Sequence, residues 1–494
     1  MRERFNAVII GSGIGGLTCG AFLARAGMRV CICERHHKTG GYAHNFRRRS
    51  TIFESGIHSV PMGKNGVIDY LLSRLGVAER LQTIELPEMY HLQTPGFSFT
   101  MPSRQADIRA GLNELFPRQR RNLERLFAQF RKFNDYVITP LHSWEDNYIE
   151  EDKLFVSQFQ NRSYSEFISQ WIDDENLKRL FFGQWPYAGG SPESGGALFY
   201  SMMFVIHYFE GSHTLHGGFS RLADALAHAI TGRGGIVRTR SSITGMTVDG
   251  RRVRSVRLAT GEEIETDLVV SNISPYTLHG SIIPRQSRSK RFLRRLSNLN
   301  PSVSAVIIYC SLKQDTPPLF DHNTTFWFSS GDFASVCRSI NENRHNLPEH
   351  LCFLQPAEDK NRRTLTLLYF VNNSASPDWK RDKPLFCEKI LSLAEKIRPG
   401  LRSSIDFYEA GSPATFERYT GNTGGALYGF ENTSALYGEA KLPATTHLDN
   451  LFQTGHWGKP GCGIFNVMFN GYSVYHTIMK TIEAPKAAGK DRRQ

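Results

Sequence analysis

The sequence predicts an α/β protein built from a Rossmann-type dinucleotide-binding domain and an interleaved α+β second domain. Three observations predict it. A short β-branched run, Ala7-Val8-Ile9-Ile10, leads directly into Gly11-Ser12-Gly13-Ile14-Gly15-Gly16. A helical stretch and a second strand-like run, Met28 to Cys33, complete a βαβ unit, whose crossover is right-handed in nearly all proteins. The chain has 494 residues, beyond the ~250–300 at which one hydrophobic core stops growing, so more than one core is expected.

The elements follow in order. Ala7–Ile10 reads as a buried parallel strand. Leu17, Ala21, Leu23 and Ala24 give the next helix its packing face, and Gly27 suits a left-handed C-terminal stop. From about Asn65 to Phe209 longer helical patterns rich in Phe, Tyr and Trp take over, including Gly111–Phe133 with Pro117 suited to a helix start. Ala197–Phe209 is the most apolar piece, too short to span a bilayer, and is expected as either a core helix or the wall of an apolar tunnel. A helix through Leu222, Leu226 and Ile230 and strands near Ile236, Ile243 and Met246 return the chain to the first domain. Val253–Leu258 and Glu263–Val270, joined at Thr260-Gly261, read as a hairpin-like pair ending at Ser271-Asn272. Ser302–Cys310 and Thr364–Asn372 read as strands of the second domain, with a helix near Leu385–Ile397, and the last return begins near His447. The expected division assigns 1–64, 210–280 and 445–484 to the dinucleotide domain, 65–209 and 281–444 to the substrate domain, and 485–494, beyond Pro485, to a frayed tail.

The glycine motif has a physical logic. Gly11 allows the tight turn, Gly13 lets the backbone approach a diphosphate, and Gly16 lets helix and strand pack closely. Amides and dipole at the helix start favour the phosphates. Glu34, at the end of the second strand, sits near the ~20-residue spacing of an acid that accepts hydrogen bonds from ribose hydroxyls. Thr39-Gly40-Gly41-Tyr42 adds a glycine pair just after that acid, so a second backbone segment can approach the diphosphate and a flavin; this indicates FAD over NAD.

Glu34 through Gly41 with Phe53-Glu54-Ser55-Gly56-Ile57-His58 resembles the phytoene desaturase, carotenoid isomerase and retinol saturase family. Gly40-Gly41-Tyr42-Ala43-His44-Asn45-Phe46 is closer to the isomerase and saturase branch, since bacterial desaturases usually carry arginine after the glycine pair. The resemblance recurs at His216–Leu222, at Asp267–Pro275, at Gly421–Gly429, and at Gly455-His456-Trp457 with Pro460–Ile464, where a strand, a glycine loop and a helix start would meet the isoalloxazine. It implies a fold of glutathione-reductase or amine-oxidase type. It also implies FAD contacts from Gly11, Gly13, Ile14, Gly15, Gly16, Glu34, Arg35, Gly40, Gly41, Tyr42, Ile57, His58, Ile243, Asn272, Gly455, Gly463 and Ile464. His58, Tyr428 and His456 are the candidate catalytic side chains, each able to donate or take a proton as a double bond changes order.

The implied activity is saturation, desaturation or isomerisation of conjugated double bonds in a hydrophobic polyene. The alternatives are a reductive cyclase of a polyketide-derived polyene in natural-product assembly, a flavin amine oxidase, and a non-enzymatic prenyl-protein binder of the Rab GDP-dissociation-inhibitor type. A second GxGxxG unit does not occur, so a nicotinamide nucleotide would serve only as a transient electron donor; quinone or oxygen are the other candidates. No metal site is expected. The net charge of +12 comes without any RNP, helix-turn-helix or zinc-finger pattern, which excludes a nucleic-acid reading. The basic stretch Arg288–Leu299 could rest on a membrane surface or pack its leucines on the core with its arginines solvated. Met1–Phe5 runs straight into the first strand, which leaves no room for a signal peptide and gives a cytoplasmic expectation, peripheral to a membrane at most. The eight cysteines are scattered; Cys31 and Cys33 are expected to be small buried residues, and Cys462 lies in a glycine loop where reactivity is conceivable.

Overall fold

The computed structural model describes residues 3–139, 141, 155–317, 319–343, 349–356, 363–436 and 441–483. The tail expected beyond Pro485 lies outside the described residues.

Five parallel strands form the heart of the first sheet, in the order Ile236–Arg238, Val30–Cys33, Glu3–Ile10, Glu263–Ser271 and Leu451–Gln453. The central strand Glu3–Ile10 ends at Gly11, and the helix Ile14–Arg25 begins three residues further on. Alternate strand residues divide between two cores: Ala7, Ile9, Val30 and Ile32 face one, Val8, Ile10, Cys31 and Cys33 the other. Such two-sided burial is why these strands read as unbroken apolar runs. Ile14–Arg25 packs beside Ser220–Thr231 and Ile464–Glu483. The hairpin-like pair is antiparallel, with Arg252–Leu258 joined to Glu263–Ser271, and Ile243–Asp249 adds on its outer side.

The second sheet runs Ile405–Gly411, Ser304–Leu312, Thr364–Val371, His350–Leu354, Thr324–Phe328, Glu88–Thr94 and Phe97–Pro102. Its neighbours are antiparallel except Thr324–Phe328 with Glu88–Thr94, which run parallel. One face, including Leu351, Phe353, Leu365 and Leu367, shares a core with Phe386, Ile390 and Ala394 of the helix Trp379–Ile397. The other face, including Phe326, Cys352, Leu368 and Phe370, joins the core shared with the first sheet.

Two open readings are decided by packing. Ala197–Glu210 is a core helix: Tyr208 stacks on Phe127 at 5.3 Å and Phe204 meets Phe130 at 5.2 Å. None of its residues lines the cavity between the two sheets described below, and only its last turn, Tyr208 to Glu210, reaches a second cavity. In the basic helix Lys290–Ser297, Leu296 is buried, Phe292 stacks on His279 at 3.8 Å, and Leu299 just beyond it is also buried. Leu296 and Leu299 therefore face the protein, while Leu293 is half-buried. Among the described residues no helix is long and apolar enough to cross a membrane.

Candidate active site

One elongated cavity is lined from both sheets. Its lining includes Glu34, Arg35, His36, Ser242 and Ile243, the backbone of Gly11, Gly13, Ile14, Gly15 and Gly40–Tyr42 with Asn272, and Ile57, His58, Tyr187, Phe326 and Phe370. Every residue expected at the cofactor lines it except Gly16, and so do His58, Tyr428 and His456. Gly16 acts beneath the cavity wall: a Cβ there would lie 2.6 Å from the Gly11 carbonyl oxygen, so glycine is what brings helix and strand together.

Three distant stretches of chain converge on the Asn272 side chain. A Cβ on Gly13 would stand 2.5 Å from its Nδ2, and one on Gly455 2.4 Å from its Oδ1. The glycine pair closes over the same place, Gly40 donating its N–H to the Ser12 carbonyl at 2.9 Å. The result is a cradle of bare backbone, with the helix Ile464–Glu483 starting at its rim. Such backbone lets a diphosphate approach amides that side chains would otherwise cover.

The buried Glu34 carboxylate is held at the end of this cradle. Its Oε2 accepts from the Ser12 N–H and hydroxyl, each at 2.8 Å, and its Oε1 from the His36 N–H at 2.7 Å. A carboxylate offers about four acceptor positions, so one remains for a hydroxyl. Arg35 donates to the Arg418 carbonyl and Lys38 to the Asn45 carbonyl at 2.8 Å, leaving their charge beside the cradle.

Beyond the cradle the cavity becomes apolar. Ile307, Phe326, Cys352, Leu354, Leu368 and Phe370 form one wall, drawn from four neighbouring strands of the second sheet. Sequence reasoning missed this wall. The strand at Thr364–Val371 was legible, and alternation pairs Leu368 with Phe370, but only strand pairing shows which face meets the cavity.

The polar groups of this chamber are mostly committed. Tyr42, Tyr187 and Tyr428 donate their hydroxyls to the carbonyls of Ala426, Met89 and Pro186, at 3.0, 2.8 and 2.6 Å. Tyr428 also packs on Gly189, where a Cβ would overlap its ring, so its phenol is a fixed wall with its proton engaged. His58 differs: neither ring nitrogen has a protein partner, and its ring stacks on Tyr187 at 5.5 Å. Burial, aided by His207, lowers its pKa to about 4. His456 is likewise lowered to about 4 by burial. The Cys462 thiol is pushed up to about 11 by burial, which argues against thiolate reactivity. Behind its loop the Lys441 ammonium, buried and lowered to about 8, donates to Asn432 Oδ1 at 2.9 Å and the Pro460 carbonyl at 2.8 Å.

A parallel βαβ sheet, a glycine cradle closed by the far end of the chain, and an apolar chamber beyond it together define a two-domain flavoprotein oxidoreductase. The chain belongs to the family described as flavin containing amine oxidoreductase, whose model matches residues 14–460. It is an FAD-dependent enzyme. Among curated proteins it is 26% identical to all-trans-retinol 13,14-reductase of Rattus norvegicus, over 92% of this chain and 82% of that one. It is 23% identical to the chloroplastic prolycopene isomerase of Daucus carota, over 96% of this chain and 80% of that one. Among solved structures, an oxidoreductase from Methanosarcina mazei superposes with a TM-score of 0.66 at 17% identity, covering 96% of this chain and 100% of that one.

Proposed function

We propose that the protein uses FAD to saturate, desaturate or isomerise conjugated carbon–carbon double bonds of a hydrophobic polyene. The observation that carries this is the composition of the chamber. Among the described residues lining the cavity, Glu34 is the sole carboxylate, and it follows a strand of the first sheet whereas Phe326 and Phe370 stand on the second. An amine substrate arriving as a cation would meet no counter-charge there, whereas a flat apolar chain loses only water. The names of the retinol reductase and prolycopene isomerase relatives support the same class.

In this reading Glu34 accepts hydrogen bonds from the ribose, while the amides around Gly11–Gly15 and Gly40–Gly41 hold the diphosphate. Gly455, Gly463 and Ile464 meet the isoalloxazine. The flavin, when bound, supplies hydride transfer. His58 gives or takes the accompanying proton, because it lines the chamber with both buried ring nitrogens uncommitted to any protein partner, while the three tyrosine hydroxyls are tied to carbonyls. The enclosing aromatic wall excludes water. A reduced nicotinamide nucleotide is the proposed donor when the reaction runs toward saturation.

The test is incubation of the FAD-loaded protein with all-trans-retinol and with prolycopene under NADPH, followed by mass and retention analysis. A gain or loss of two hydrogens, or an unchanged mass with shifted retention, is the expected result. Hydrogen peroxide release from putrescine with no change in either polyene would overturn the reading in favour of amine oxidation.

A further inference from the structure

A second cavity is lined by Lys64, Arg104, Tyr208, Glu210 and His213, among others. A single antiparallel bridge between Val60 and His213 links the two. Val60 and His213 exchange backbone hydrogen bonds at 2.9 Å in both directions, laying the chain after His58 antiparallel to the chain after Glu210. His58, Ser59 and Val60 line the first cavity. Gly63, Glu210 and His213 line the second.

Around this bridge, buried polar atoms without a protein hydrogen-bond partner accumulate: both ring nitrogens of His58, Ser59 Oγ, His207 Nε2, Glu210 Oε2 and Ser212 Oγ. Folded proteins leave few such atoms unsatisfied, and ordered water is their usual partner. His207, near the end of the helix Ala197–Glu210, is within electrostatic reach of His58 on one side and His213 on the other. Its Nδ1 donates to the Met203 carbonyl at 3.0 Å, which fixes the tautomer and leaves Nε2 with its lone pair. The Tyr187 ring stacks on both His58, at 5.5 Å, and His207, at 6.0 Å, and holds them in place.

We infer that His58, His207 and His213, with the Glu210 carboxyl at the outer end, form a proton path that joins the two cavities through bound water. The inference rests on the polyene reading. Saturating one double bond takes a hydride from the flavin and a proton from His58, with a reduced nicotinamide nucleotide restoring the electrons. His58 must then recover a proton from solvent while enclosed by an apolar chamber. Burial raises the Glu210 carboxyl to about 8, so at neutral pH it carries a proton to pass on. The other charged groups at that end are Lys64, Asp69, Glu85 and Arg104, of which Glu85 and Arg104 pair at 2.7 Å.

The experiment is a high-resolution crystal structure of the FAD-loaded protein, combined with steady-state kinetics over many turnovers of His207→Phe and Glu210→Gln using all-trans-retinol as probe. Ordered waters bonded to His58, His207 Nε2 and Glu210 Oε2 are expected. Both variants should keep the wild-type flavin spectrum and FAD affinity yet turn over about 10²-fold more slowly, the low end of what positioned proton transfer contributes. Glu210→Asp should recover most of the rate. Dry packing at those atoms, or full rates in the variants, would overturn the path. Should His207→Phe fail to fold, the isosteric Glu210→Gln decides alone. Bound water at these atoms in a protein that leaves retinol and prolycopene unchanged would uphold the path and sink the polyene reading instead.

Discussion

At the scale of single residues, the proposed roles of Glu34 and His58 separate cofactor retention from chemistry. Glu34→Gln keeps the shape but removes the charge that three hydrogen bonds from Ser12 and His36 support. Hydrogen bonds to a charged group contribute about 1.5–3 kcal/mol, so FAD affinity should fall roughly tenfold or more, read by flavin fluorescence titration. His58→Leu should leave FAD bound and lower polyene turnover by about 10² or more. Both positions were legible in the sequence, because each sits at a fixed offset within a contiguous motif. Tyr428 was legible as a place and not as a role: the Pro186 carbonyl that occupies its hydroxyl comes from a remote part of the chain. Lys441 was not singled out in the sequence at all, because its partners Asn432 and Pro460 are assembled only by the fold.

At the scale of elements, the second sheet gives two adjacent leucines opposite assignments. Leu368 lines the chamber, whereas Leu367 is buried against the helix Trp379–Ile397. Leu368→Trp should therefore change thermal stability little while blocking a long polyene, seen as lost turnover with intact FAD binding. Leu367→Trp should do the reverse, destabilising by about 1–3 kcal/mol through overpacking. Strand existence was readable from the apolar runs, but burial on both faces erases the alternation that would have told the faces apart. The basic helix Lys290–Ser297 had the opposite problem. Its pattern fits both a membrane surface and, more readily, a core-packed surface helix, and Leu296 and Leu299 cluster with Ala426, Phe430 and Trp457. Leu296→Ala should cost about 2–5 kcal/mol in denaturant unfolding, the range for a buried leucine.

At the scale of the whole molecule, burial shapes the response to pH. His58, His207, His279 and His456 all have pKa values lowered to about 4. Between their unfolded value near 6.5 and about 4, the unfolded chain binds protons that the folded chain refuses, so stability falls as pH falls through that window. Glu210 acts in the opposite sense: raised to about 8, it favours the folded state at low pH, and that contribution is lost as pH rises through 8. Melting temperature should therefore drop on acidification from pH 6.5 to 4, and Glu210→Gln should remove part of the alkaline decline. A melting temperature flat across the acid window would contradict the histidine assignment. The closing of the cradle has a consequence in time. Gly13 is made long before Asn272, and Asn272 long before Gly455, yet the three meet at one side chain. A nascent chain on the ribosome can thus complete its opening βαβ unit long before the strand Leu451–Gln453 arrives to cover the edge of Glu263–Ser271. Contacts so far apart in sequence form slowly and leave sheet edges exposed in the interval. Synthesis of this enzyme should consequently depend on chaperones that shield that edge, and on flavin supply only after the helix Ile464–Glu483 has emerged.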